Sequence, residues 1–185
     1  MRSLLLLPLL LGSCAVAIPE ADAPTRPGLP SPRLQGYILL HQTVKGMKHS
    51  DELLLVKFES DATEKVIDDI ADSASEVEER LERIAESEPS LDLDLDILPE
   101  VMTAAQDSAM KERLKDLLTE RGKEFERLLL LTQSGALNQA RHLARVMVEV
   151  EEDNEARQAF WKDVQRIFDE HYREIVDLLE AQYFS

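Results

Sequence analysis

Histidines followed by acidic residues are the feature of this sequence best suited to chemistry. His49 is followed three residues later by Glu52, and His171 by Glu174. An imidazole and a carboxylate one helical turn apart can hold a divalent metal ion from one helix face. The same spacing arises by chance in a chain with 37 Asp and Glu residues, and a buried histidine with partnered ring nitrogens is the simpler interpretation. We therefore predict no bound metal and no cofactor.

The alternative prediction is a metal site that combines His171 and Glu174 with Asp51. Asp51 lies on the apolar stripe of the first predicted helix, between Met47 and Leu54. A carboxylate buried there without a partner would be costly. We pair Asp51 with His171 across the interior of the domain and expect this contact to be structural rather than catalytic.

Motifs for well-known metal sites and enzymes are missing from the sequence. A ferritin-like di-iron site needs Glu-x-x-His on two helices, but the residues three places before the four histidines are Ile38, Gly46, Gln139 and Phe168. Asp92, Asp94 and Asp96 match the first ligands of a calcium-binding EF-hand loop, whereas Ile97 stands where that loop needs glycine. No P-loop, dinucleotide-binding, G-x-S-x-G or H-E-x-x-H motif occurs. The sequence therefore predicts no catalytic residues and no enzyme activity.

Charge and composition narrow the class of protein further. The 185 residues include 21 Lys and Arg against 37 Asp and Glu, so the formal net charge is −16. Because affinity for nucleic acid comes mainly from clustered basic residues, we expect no nucleic-acid partner. With 44% hydrophobic but only 5% aromatic residues, the chain is suited to one domain with a mainly aliphatic core.

The first 13 residues have the composition of a signal peptide, with Arg2 preceding a short leucine-rich segment. The sequence L-G-S-C that ends at Cys14 resembles the bacterial lipobox, and Cys14 is the only cysteine. This resemblance implies lipidation of Cys14 and attachment to a membrane through the lipid. Ala15 in the next position implies the periplasmic face of the outer membrane. The alternative is cleavage after Ala17, which would release a soluble secreted protein.

A proline-rich segment follows the signal peptide. Six of the 8 prolines lie at or before residue 32, namely Pro8, Pro19, Pro24, Pro27, Pro30 and Pro32. This composition predicts an extended tether over residues 14–33 and a helical domain over residues 34–185.

Apolar residues beyond the tether recur every three or four positions, as expected for amphipathic helices. The pattern predicts a first helix of about 25 residues from Tyr37, a second from Asp61, a third from Phe125 and a last one after residue 154. A short extra helix is predicted over residues 101–119. The inward residues of the four long helices include Tyr37, Leu40, Val44, Met47, Val66, Ile70, Ala74, Val77, Leu81, Ile84, Leu129, Ala136, Ala140, Leu143, Met147, Phe160, Val164, Ile167, His171, Ile175 and Leu178. Four such helices bury their stripes most simply as an all-α, antiparallel four-helix bundle.

The segment G-K-E-F-E-R at residues 122–127 resembles the G-x-x-F-[DE]-R start of a helix in a ferritin-like family of unknown function from bacterial exported proteins. The order of the predicted helices is similar to that family, and His171 lies where its last helix often carries a histidine. The histidines common in the family's second and third long helices are not present here. The resemblance implies a ferritin-like bundle.

These observations lead to two functional hypotheses. The first is a lipid-anchored, non-catalytic bundle that acts as a structural or interaction module of the cell envelope. Its partner would be another protein or a second copy of the chain, because apolar positions such as Leu130 and Leu131 remain outside the predicted stripes. The alternative is a periplasmic metal-binding ferritin-like protein that uses inward histidine and carboxylate groups.

Overall fold

The computed structural model describes residues 30–50 and 60–183, and the secondary structure in these two ranges is entirely helical. The helices are α1 (Pro32–Lys48), α2 (Asp61–Ser87), α3 (Glu100–Thr119), α4 (Lys123–Val150) and α5 (Glu155–Tyr183). The predicted all-α class is confirmed. Within the two described ranges, no helix combines the length and apolar character needed to cross a lipid bilayer.

The ends of α1 differ from the prediction. Its N-cap is Ser31, whose hydroxyl accepts a hydrogen bond from the Leu34 amide at 3.2 Å, and Pro32 occupies the first turn, where its missing N–H costs nothing. The helix thus begins five residues before its predicted start at Tyr37. The helix ends at Lys48 after 17 residues, so the predicted length of about 25 is wrong. Leu54, assigned to the same helix, lies outside the described residues.

Ion pairs at one end of the molecule show the directions in which the helices run. Arg33 at the start of α1 contacts Glu88, just after α2, and Glu151, just after α4. Arg157 at the start of α5 also contacts Glu88. The starts of α1 and α5 therefore meet the ends of α2 and α4, and helices that pack side by side run antiparallel. Because α2 and α4 share a direction, the segment containing α3 carries the chain back along the molecule.

Helices α1, α2, α4 and α5 supply most of one hydrophobic core. The predicted stripe of α1 is buried throughout, and most of the α2 stripe is buried too. In α4 the predicted Leu129, Ala140 and Met147 are buried. The predicted Ala136 and Leu143 are only half-buried, and their neighbours Leu137 and Ala144 are buried instead. The prediction that Leu130 remains outside the core is wrong, because α4 packs against both α1 and α5 and so buries a wider face.

Helix α3 is the predicted extra helix, and it joins this core only through Leu117. It is shorter than α2, α4 and α5 but, at 20 residues, longer than the described α1. It packs against α4, and Leu117 is its one buried residue. The connector before it carries Asp92 and Asp96, whose carboxylates accept hydrogen bonds from the backbone amides of Asp94 and Leu98. These aspartates thus make local turns in a connector that buries Leu91, Leu93 and Ile97.

Candidate functional site

The predicted residues His171 and Glu174 are brought together on α5. The Nδ1 atom of His171 lies 3.0 Å from the Glu174 carboxylate, and Nε2 lies 2.9 Å from the hydroxyl of Ser73 on α2. Both ring nitrogens thus have protein partners, as the simpler interpretation of this histidine predicts. Asp51 lies outside the described residues, so its contact with His171 stays a prediction.

Cys14, the signal peptide and most of the tether also lie outside the described residues. Lipidation of Cys14, cleavage after Ala17 and attachment to the outer membrane therefore stay predictions. The described chain begins at Pro30, immediately before the N-cap of α1.

A polar network joins four helices at the end where α1 begins. Glu151 is only 5% exposed, and its Oε1 atom accepts hydrogen bonds from Arg33 Nε and from the Tyr37 hydroxyl, each at 2.8 Å. Arg33 also binds both oxygens of Glu88 at 2.7 and 2.9 Å. Hydrogen bonds from Arg33, and a smaller contribution from Ser90, lower the pKa of Glu88 to about 2. Because each carboxylate is paired, the network is suited to holding helix ends together.

Tyr37 links this network to the core. The indole N–H of Trp161 donates to the Tyr37 hydroxyl at 3.3 Å, and the two rings meet edge to face with centroids 5.0 Å apart. Burial, and then the hydrogen bond to Glu151, raises the pKa of Tyr37. The hydroxyl therefore stays protonated and donates to the buried carboxylate.

A second buried carboxylate, Glu126, lies at the opposite end of the molecule. It accepts hydrogen bonds from the amide of Ser60 at 2.9 Å and from the hydroxyls of Ser60 and Thr63, each at 3.0 Å. The hydroxyl of Tyr183 lies 3.4 Å away, and burial together with Glu126 raises the pKa of Tyr183 to about 12. Glu126 thus ties the start of α4 to the start of α2 and the end of α5.

The contact between α1 and α2 contains a third polar group, formed by His41, Glu78 and Glu82. His41 and Glu78 are each 6% exposed, whereas Glu82 is exposed. Nε2 of His41 lies 3.9 Å from Oε1 of Glu78, and it has no hydrogen-bond partner among the described residues. Lys48 Nζ lies 2.6 Å from the other oxygen of Glu78 and its pKa is raised by that carboxylate. One ligand atom from each of the three residues lies within 4.8 Å of the others.

Sequence reasoning missed this cluster, although part of its signal was present. Glu78 follows the predicted inward residue Val77 and precedes Glu82 by one helical turn. His41 similarly follows the predicted inward residue Leu40. The pairing between the helices depends on how α1 packs against α2, which the spacing along one chain does not specify.

Helix α3 exposes apolar side chains to an unusual extent. Met110, Leu114 and Leu118 recur at steps of four, which places them along one side of the helix, and they are 61%, 44% and 55% exposed. Val101 and Met102 are exposed too, but with 3.6 residues per turn they lie on other sides of the helix. We call Met110, Leu114 and Leu118 the α3 face. A surface of this kind on an otherwise highly charged protein is typical of a site that contacts a partner.

Comparison of the chain with protein-family models, with curated proteins and with solved structures finds no match. The ferritin-like resemblance therefore stays a prediction.

Proposed function

We propose that this chain is an exported, lipid-anchored protein whose helical domain is a non-catalytic interaction module of the bacterial cell envelope. The L-G-S-C sequence ending at Cys14 supports the anchor, and the prolines after it support a tether between lipid and domain. Several acyl chains on Cys14 would hold the protein stably at the periplasmic face of the outer membrane. Cleavage after Ala17 is the competing proposal and gives a soluble secreted protein.

The proposed architecture of the domain is a ferritin-like four-helix bundle with α3 as an added helix. The antiparallel packing of neighbouring helices supports this proposal, as does the shared direction of α2 and α4. Ferritin-like bundles have one long crossover connection, and here the segment containing α3 would be that crossover.

The observation that carries the interaction role is the α3 face, and we propose that its partner is a second copy of the chain. Two copies related by a two-fold axis would pack their α3 helices antiparallel, each face covering the other. The charges along α3 favour this arrangement. Its first half carries Glu100 and Asp107, whereas its second half carries three basic residues against two acidic ones, namely Lys111, Arg113, Lys115, Glu112 and Asp116. The antiparallel pairing places the acidic half of one copy beside the more basic half of the other.

Sedimentation equilibrium of the mature chain tests this dimer. One helix pair is a small interface, so we expect reversible dimers with a dissociation constant in the micromolar range. Leu114→Glu places a charge in the centre of the α3 face and should give monomers at concentrations where the parent chain is dimeric. Val146→Glu is the matched control, because Val146 is 40% exposed but lies on α4; its dimerisation should be unchanged. A parent chain that stays monomeric, or equal effects of the two variants, would contradict the proposal.

Mass spectrometry of the protein purified from membranes tests the anchor. We expect a mature N-terminus at Cys14 that carries a diacylglyceryl group, because lipidation requires the cysteine thiol. Cys14→Ser should abolish the modification and release the protein from the membrane fraction. A mature protein that begins at Ile18 without lipid would refute the anchor and support cleavage after Ala17.

A further inference from the structure

The ring nitrogen Nε2 of His41 is one of three buried side-chain polar atoms without a hydrogen-bond partner in the described chain. The side chain of His41 is 7% exposed, and Nε2 faces the similarly buried carboxylate of Glu78 at 3.9 Å, too far for a hydrogen bond. Buried polar atoms are almost always hydrogen-bonded or bound to a ligand. The three side chains of the cluster come from α1 and α2 and converge on the space beside this nitrogen.

The arrangement of the ligand atoms fits a metal ion. Bonds of about 2.0–2.2 Å from a transition metal to nitrogen or oxygen put two ligand atoms no more than about 4.4 Å apart. The separation between His41 and Glu78 is within this limit. All three ligand atoms lie within 4.8 Å of one another, so a small rotation of the exposed Glu82 side chain completes the set. We propose that His41, Glu78 and Glu82 bind one divalent first-row transition-metal ion between α1 and α2.

The chemistry of the donors supports this choice of ion. One imidazole nitrogen and two carboxylate oxygens suit zinc, manganese or iron better than calcium or magnesium, which prefer oxygen ligands alone. Two ionised carboxylates and a neutral imidazole balance the charge of a divalent ion. Three protein ligands leave further coordination positions for water or another small ligand. The site is separate from the predicted set of His171, Glu174 and Asp51.

Lys48 competes with a metal ion for the carboxylate of Glu78. Its ammonium group lies 2.6 Å from Oε2 of Glu78 and neutralises that carboxylate. A metal ion that binds Glu78 meets the repulsion of this neighbouring charge, so Lys48 weakens metal binding. Removal of the Lys48 charge should therefore tighten the site, whereas removal of a ligand should weaken it.

Titration of the full mature chain with Zn²⁺ and Co²⁺, after treatment with a chelator, tests the proposal. We expect one calorimetric site per chain and visible absorption from bound Co²⁺. Loss of a residue that only hydrogen-bonds to a metal ligand lowers metal affinity about 10- to 100-fold. His41→Gln and Glu82→Gln, which remove a ligand itself, should therefore lower the metal affinity at least tenfold. Lys48→Met should increase the affinity.

The controls separate this site from weak binding to the many surface carboxylates. Glu79→Gln changes an exposed neighbour of Glu78 on α2 and should leave the affinity unchanged, as should His171→Ala. Because Glu82 is exposed, Glu82→Gln should fold even if a change at His41 does not. Absence of saturable binding in both the parent chain and Lys48→Met would overturn the proposal. Equal binding by the parent and Glu82→Gln would also overturn it.

Discussion

Replacement of Trp161 by alanine is expected to lower the free energy of unfolding by about 3–5 kcal/mol. Trp161 is fully buried, and the change would leave a large cavity in the core. It would also remove the edge-to-face contact with Tyr37 and the hydrogen bond to its hydroxyl. Unfolding by urea, followed by circular dichroism because Trp161 is the only tryptophan, measures the loss.

Two further variants define the origin of this loss. Trp161→Phe keeps most of the ring but removes the N–H donor. It should therefore lower the free energy of unfolding by less than Trp161→Ala does. Val101→Ala changes a side chain that is 80% exposed. Its free energy of unfolding should stay within about 0.5 kcal/mol of the parent value. A loss at Trp161→Ala no larger than that at Val101→Ala would show that Trp161 does not occupy the core described here.

Arg33→Met is expected to destabilise the protein by about 3 kcal/mol, the lower end of the range for breaking a buried ion pair. The variant leaves Glu151 buried with Arg157 as its nearest cation, 3.8 Å away. The lower end applies because the Arg33 side chain is itself 30% exposed. Arg83→Met is the matched control, since Arg83 and Glu79 form a pair that is exposed on both sides and contributes at most about 1 kcal/mol.

The same variant should change how stability depends on pH. The folded protein lowers the pKa of Glu88 from its ordinary value of 4.5 to about 2, chiefly through Arg33. A lowered carboxyl pKa stabilises the folded state fully above pH 4.5, and this stabilisation is lost as the pH falls toward 2. The difference in unfolding free energy between the parent and Arg33→Met should thus narrow over that interval. A constant difference would contradict the assigned role of Arg33.

The positions of the helices could be predicted because breaks in the apolar pattern coincide with residues that end or begin helices. Pro99 precedes α3, and Gly122, whose φ of 57° suits glycine, precedes α4. The end of α1 could not be predicted in this way. The apolar spacing continues through Leu54, whereas the helix stops at Lys48.

The polar groups of the interior were less predictable, because their environment depends on which helices meet. In the sequence Glu151 belongs to the acidic stretch E-E-D at residues 151–153, yet in the structure it is buried and accepts hydrogen bonds from Arg33 and Tyr37. His41 has no acidic residue one turn away on α1, and its neighbours Glu78 and Glu82 belong to α2. His171 could be predicted better, because its contact with Glu174 lies within one helix.

The tight turn between α4 and α5 bears on the order in which the molecule assembles. These are the two longest of the described helices, with 28 and 29 residues, and only residues 151–154 separate them. Closing so short a loop costs little chain entropy, whereas docking α1 against α4 must close a much longer one. We infer that the α4–α5 hairpin forms early and that α1 and α2 pack against it afterwards. Contacts within this hairpin should therefore govern the folding rate, and contacts of α1 the rate of unfolding.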